Sequence, residues 1–301
     1  MKKFLKLVKR NTALFFKDKG LFFTSLITPM ILLVLYGTFL GNVFKDSYSS
    51  ALPEGMTIPS KLLSGLVAGQ LAASLLSVSC VTVAFCSNML VVHDKINGVR
   101  RDFLISPVRP HILALSYFSA CFLCTLLVCV VAAALCFGYS AIVGWYYSVT
   151  DVFLILLDVV FLTLFGSLFS SVVNGFLTSQ GQVSAVGTIV SSAYGFICGA
   201  YMPIASFGAG LQKVLSCLPT TYATILVKNH TMRGALDAYA AAGAPEKAVE
   251  AFRKFNDLDF SVFGHRVPIG VTYLIVGGTV VLLLFLFVLL NVILKRERYS
   301  E

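Results

Sequence analysis
Apolar residues gather into long runs at about residues 21–44, 62–92, 112–143, 150–173, 182–202 and 268–294, with shorter polar stretches between them. Crossing the hydrocarbon layer of a bilayer takes roughly 20 apolar residues, so the pattern predicts six membrane-spanning helices. Residues 2–19 differ. Phe4, Leu5, Leu7, Val8, Leu14 and Phe15 alternate with Lys3, Lys6, Lys9, Arg10 and Lys17, and on a helix Lys3, Lys6, Arg10 and Lys17 fall on one side. That is a basic amphipathic helix suited to the headgroup layer. A signal peptide fits worse, because the basic region is long and no small-residue cleavage pattern follows.

Between the fifth and sixth runs, Ile204 to Lys228 mixes apolar patches with Gly208, Gly210 and Leu218-Pro219-Thr220. It is too broken for a span and too apolar for a free loop. Irregular backbone at membrane depth survives only where protein or a water-filled cavity shields it, which predicts a re-entrant helical hairpin. Residues 231–260 are alanine-rich and charged, a small helical cap whose second helix opens at Pro245-Glu246 and runs through Phe255. The expected fold is an all-α polytopic membrane protein forming one domain over 1–301. It comprises an interfacial helix (1–20), spans one to five (21–202), hairpin and cap (203–267), and a last span with a basic tail (268–301).

Inside the spans, Pro29 predicts a kink in the first. The second is rich in Gly, Ala and Ser, which let helix backbones approach closely in lipid, so it should pack inward. It also carries Gln70, Phe85 and Asn88, which with Ser192 and Phe196 of the fifth span are candidates for lining a pathway; interhelical hydrogen bonding is the alternative for the polar ones. Asp158 lies well inside the fourth run with no basic partner evident in sequence, and a buried acid is by default a functional candidate. The sixth run, nearly pure Val, Leu and Phe, should face lipid.

Composition agrees with the pattern: 57% hydrophobic, 12% charged and a mean hydropathy of +0.87 lie outside the range of soluble domains. The formal charge of +9 would suit nucleic acid, but its placement argues otherwise. Seven Lys and Arg fall in residues 1–20, four in 93–111 and three after Leu294, whereas the short loops on the other side hold only Lys45 and Lys61. This positive-inside bias puts both termini in the cytoplasm. The eight cysteines show no metal spacing, and Cys121-x-x-Cys124 sits mid-span, where packing is the better reading.

The segment His93 to His111, HDKINGVRRDFLISPVRPH, is too charged for hydrocarbon, where each ionised group costs on the order of 2.5–3.5 kcal/mol. Val99 to Ile105 has helical spacing, and Pro107 and Pro110 bar its continuation. A short surface helix follows, basic on one side, with Phe103 available as a plug for a groove on a partner. Asp94-Lys95, Gly98, Asp102-Phe103-Leu104, Ser106-Pro107-Val108 and Arg109 together resemble the loop between the second and third spans of ABC type-2 exporter permeases.

The resemblance implies a coupling helix here, with Asp94, Lys95, Gly98, Arg100, Arg101, Asp102, Phe103, Leu104, Pro107 and Arg109 facing a separate ATPase subunit. It further implies two cytosolic ATPase copies, which hold ATP and Mg, and a second permease copy, identical or similar. The placement would be multi-pass in the cell membrane, with lipid around it, no nucleic acid bound and no cofactor held by this chain. Gly-Lys occurs nowhere, so there is no phosphate-binding P-loop and the chain is not expected to be an enzyme. Family cargoes include drugs, antibiotic peptides, lipids and polysaccharides; the apolar pathway candidates favour an amphipathic or lipophilic one. Three alternatives stay open: a proton-coupled secondary transporter using Asp158, a permease for lipid-linked polysaccharide, and a membrane enzyme using one of the four histidines.

Overall fold
The computed structural model describes residues 2–50, 58–105, 108–262 and 265–297, with backbone alone at 100, 101, 104 and 293–297. Its axis is α4 (Ser60–Ile96), whose apolar stretch is 83% buried. Around it stand α2 (Lys19–Leu35), α6 (Pro110–Val143), α7 (Val149–Phe176), α8 (Gln180–Ile197) and α10 (Pro219–Ala241). The small residues foreseen in the second run are what permit this. A Cβ on Gly69 of α4 would stand 2.6 Å from the Thr231 carbonyl oxygen of α10, so only glycine allows the two backbones so close. The last helix, α12 (Ile269–Glu297), leans on α7 and α10 and is only 17% buried along its apolar stretch, in keeping with the expected lipid-facing role.

Three boundaries depart from the pattern. The first run does not stop near residue 44: after α2, in which Pro29 lies buried, the helix passes through one π-turn at Tyr36–Leu40 and continues as α3 (Gly41–Ser50). The wide turn is closed by Gly41, where a Cβ would lie 2.5 Å from the Tyr36 carbonyl oxygen. Five helices among the described residues are long and apolar enough to cross a membrane, against the six expected. The exception is α8, which ends at Ile197, short of the expected 202, because Gly199 takes a left-handed turn (φ +73) just beyond it. Its serines, glycines and glutamines also dilute its hydropathy. Third, the hairpin and the cap are not separate pieces. After α9 (Ala209–Ser216), α10 runs unbroken past Lys228 to Ala241, since no proline follows its first turn, its one glycine, Gly234, stays helical, and the chain turns only at Gly243 (φ +87) and Pro245.

The cap helix α11 (Glu246–Phe255) opens where Pro245-Glu246 predicts. It is clamped to α3 by Tyr48, which donates to Asn256 at 2.9 Å and meets the Phe252 ring at 4.5 Å. A two-stranded antiparallel ribbon, β1 (Ser261–Val262) with β2 (His265–Arg266), was not foreseen by the all-α reading. Asp257 ties cap to hairpin: its carboxylate accepts the Ile204 and Ala205 N–H groups at 2.7 and 3.3 Å and faces the buried Lys228 ammonium at 3.8 Å. Burial raises the Asp257 carboxyl above its ordinary range, against the pull of Lys228 and the two N–H groups, and burial lowers Lys228. The pair is therefore held by geometry at an electrostatic cost.

Candidate functional site
The charged loop of the sequence becomes a compact junction at the basic end of the bundle. α4 closes with His93 and Lys95 in its last turn, and Gly98 takes the left-handed conformation (φ +78) that turns the chain directly into α5 (Val99–Ile105). Pro110 then opens α6 within its first turn, where a missing N–H costs nothing. The amphipathic helix α1 (Lys2–Lys17) lies against α6, Leu7 packing with Leu113 and Tyr117 and Phe15 with Cys124 and Val128, and it also buries Val8 and Asn11.

Asp94 is the centre of this junction, 6% exposed at the end of α4. Its Oδ2 receives the Arg10 Nη1 of α1 at 2.7 Å and the Tyr117 hydroxyl of α6 at 2.6 Å. The Arg10 guanidinium stands 5.1 Å from the centre of the Phe103 ring, a cation–π contact that adds α5 to the group. Burial works against the Arg10 charge, but Asp94 more than offsets it, and the guanidinium pKa rises. Lys95 reaches the other way, donating to the Leu177 carbonyl at the end of α7 at 2.9 Å. Below the charges, Phe103 joins an apolar cluster with Leu7, Leu113 and Tyr117.

The sequence-derived site residues therefore divide. Asp94 and Phe103 turn inward, Lys95 bridges to α7, Gly98 makes the turn, and Asp102 and Arg109 are exposed. Phe103, expected as an outward plug, is instead half-buried beneath Arg10, because the arginine and the apolar cluster offer its ring a better environment than water. The side chains of Arg100, Arg101 and Leu104, and the whole of Pro107, lie outside the described residues. Arg10, placed by helical spacing with the solvent lysines, is drawn in by Asp94. A signal for this existed: Arg10 follows Leu7 by three residues and precedes Leu14 by four, the edge of the apolar stripe, and Asp94 is an acid ending an apolar run. Tyr117 and the Asp94 ion pair depend on contacts across 23 and 84 residues of chain, beyond reach of local pattern.

The pathway candidates are not brought together in one chain. Gln70 is buried and donates to the Ala200 carbonyl at 3.3 Å, and Asn88 is buried and donates to Ser170 and Ser171 at 3.2 and 3.0 Å. Phe85 is buried against the Phe169 ring. Asn88 and Phe85 bind α4 to α7, and Gln70 binds α4 to the turn that follows α8. Ser192 and Phe196 lie on the exposed face of α8. Asp158 does have a partner, contrary to the sequence reading: His230 Nδ1 of α10 stands 2.5 Å from its Oδ2, with both groups buried. The contact locks α10 onto α7.

A helical bundle with a buried central helix, several apolar helices long enough to cross a bilayer and a charged junction at one end defines a multi-pass membrane protein. A family model described as ABC-2 type transporter matches residues 2–229, and the chain belongs to that family. The matched stretch contains the whole junction and ends within α10. The chain is thus a permease subunit of an ABC transporter, a family whose membrane subunits generally pair with an ATP-binding subunit. No curated protein matches it.

Proposed function
We propose that the chain is the membrane subunit of an ABC exporter that moves an amphipathic or lipophilic compound out of the cell. α5 is the coupling helix: two copies of a cytosolic subunit, holding ATP and Mg, close on it and push on the ends of α4 and α6. The chain itself hydrolyses nothing. Both termini are cytoplasmic, the membrane is the plasma membrane, and α8 is the sixth crossing. Two permease copies, identical or similar, enclose the path, to which the exposed α8 face with Ser192 and Phe196 contributes.

The observation that carries this reading is a seven-residue helix set at a glycine turn between two long helices, packed on both through the Phe103 cluster, while the Asp94–Tyr117 bond ties the two long helices to each other beside it. A rigid body attached at both ends passes displacement into the bundle instead of absorbing it. The test is charge reversal at Arg100 and Arg101 together, or Phe103→Asp, with insertion followed by membrane fractionation. Co-purification of the ATPase, or stimulation of its hydrolysis by the permease, is expected to be lost. Normal stimulation in both variants would remove the coupling role.

A further inference from the structure
Four helices meet at one guanidinium. Arg10 of α1 is bonded to Asp94 of α4, which is also held by Tyr117 of α6, while the same guanidinium covers Phe103 of α5. A lysine could supply the ion pair, but a planar guanidinium can grip a carboxylate and still offer its face to an aromatic ring. α1 is joined to α2 by the single residue Asp18, whose carboxylate accepts the Leu21 N–H at 3.1 Å and so caps α2. Phe15, Phe16 and Phe22 fill the corner with ring centroids 5.1, 5.6 and 6.1 Å apart. A corner packed this way transmits a rotation of one helix to the next, since close-packed side chains yield little. The apolar stretch of α2 is only 28% buried, against 83% for α4, so the core restrains α2 far less.

Resting on the coupling role proposed for α5, we infer that Arg10 is a positioning residue that ties Phe103 to α1, so that displacement of α5 swings α1 and α2 together about a pivot held by Asp94 and Tyr117. Work received at α5 then has two outlets. One runs through the flanking helices α4 and α6, and the other runs through Arg10 into the first span.

The test uses the complete complex of permease and ATPase in lipid nanodiscs. Cys217, the exposed cysteine, is replaced by Ser, and spin labels are placed at Ile27→Cys on α2 and Leu127→Cys on α6, both on exposed faces. Distances are measured by pulsed electron resonance without nucleotide and with ATP plus vanadate. A nucleotide-dependent change in the α2–α6 distance is expected, reduced at least threefold by Arg10→Gln and partly recovered by Arg10→Lys, which keeps the ion pair and a cation near the ring. Phe103→Leu should reproduce the loss, and the double variant should add nothing to it. An undiminished change in Arg10→Gln, or equal loss in Arg10→Lys and Arg10→Gln, overturns the inference. If Phe103→Asp abolishes ATPase association while Arg10→Gln leaves the distance change intact, only the α1 route falls. If Phe103→Asp and the Arg100/Arg101 charge reversal both leave association and stimulation normal, the coupling role of α5 falls and the route with it.

Discussion

Asp94→Asn removes one charge and leaves the shape of the junction almost unchanged, which makes it the most informative perturbation of the site. In the native junction one carboxylate oxygen accepts two short bonds, from Arg10 at 2.7 Å and from Tyr117 at 2.6 Å, and the other lies 3.5 Å from Arg10 Nη2. Hydrogen bonds to a charged group contribute about 1.5–3 kcal/mol each. Asparagine can keep its oxygen where both bonds end, but the bonds lose their charge assistance and its NH2 group is turned towards Arg10 Nη2. Leaving a fully buried charge unpaired would cost about 3–5 kcal/mol, but the Arg10 side chain is 31% exposed and recovers part of its hydration. The expected loss is therefore about 2–3 kcal/mol. Reversible unfolding in mixed micelles, followed with a thiol-reactive dye on the seven buried cysteines, reads it directly. A double-mutant cycle of Asp94→Asn with Arg10→Gln should return about 1–2 kcal/mol of coupling, more than an exposed surface pair gives. A coupling below about 0.5 kcal/mol would refute the view that this ion pair holds α1 to α4.

Two further substitutions test how the cap and the axis are held. Burial opposes the charged form of both members of the Lys228–Asp257 pair. The contribution of the raised Asp257 to folding is fully present below the ordinary carboxylate pKa and is lost as pH rises through its folded value; that of the lowered Lys228 is fully present above the ordinary ammonium pKa and is lost as pH falls through its own. Lys228→Met with Asp257→Asn together should therefore be neutral or stabilising in the unfolding assay, whereas Lys228→Met alone should cost about 3–5 kcal/mol. Gly69→Ala should cost about 1–3 kcal/mol, because its Cβ would press on the Thr231 carbonyl at 2.6 Å and on Met232 at 3.2 Å; the unfolding midpoint checks this, and no loss would mean that α10 can move off α4.

Much of the architecture was legible from hydropathy alone. The runs at 62–92, 112–143 and 150–173 become α4, α6 and α7 with their ends displaced by a few residues, because a long apolar stretch has only one way to satisfy its backbone in lipid. Pro245-Glu246 marked α11 for an equally local reason, a proline-fixed helix start. What failed was composition at the margin. α8 is a helix but a weakly apolar one, and α3 continues the first helix through polar residues because Tyr48 has Phe252 and Asn256 to bury against. At the site, the short helix at Val99–Ile105 and its end before the prolines followed from the sequence, while the left-handed turn at Gly98, Arg10, Tyr117 and the inward turn of Phe103 did not.

Periodicity, length and the distribution of charge along the chain are properties of neighbouring residues, and they sufficed for a multi-pass helical protein with a charged helix between its second and third apolar runs. Partnership is another matter. That Arg10 reaches Asp94, that His230 reaches Asp158, that Asn88 ties α4 to α7 and that Gln70 ties it to the turn after α8 were decided only when α4 was surrounded. Each of these contacts joins groups between 72 and 130 residues apart, through burial that no local stretch contains.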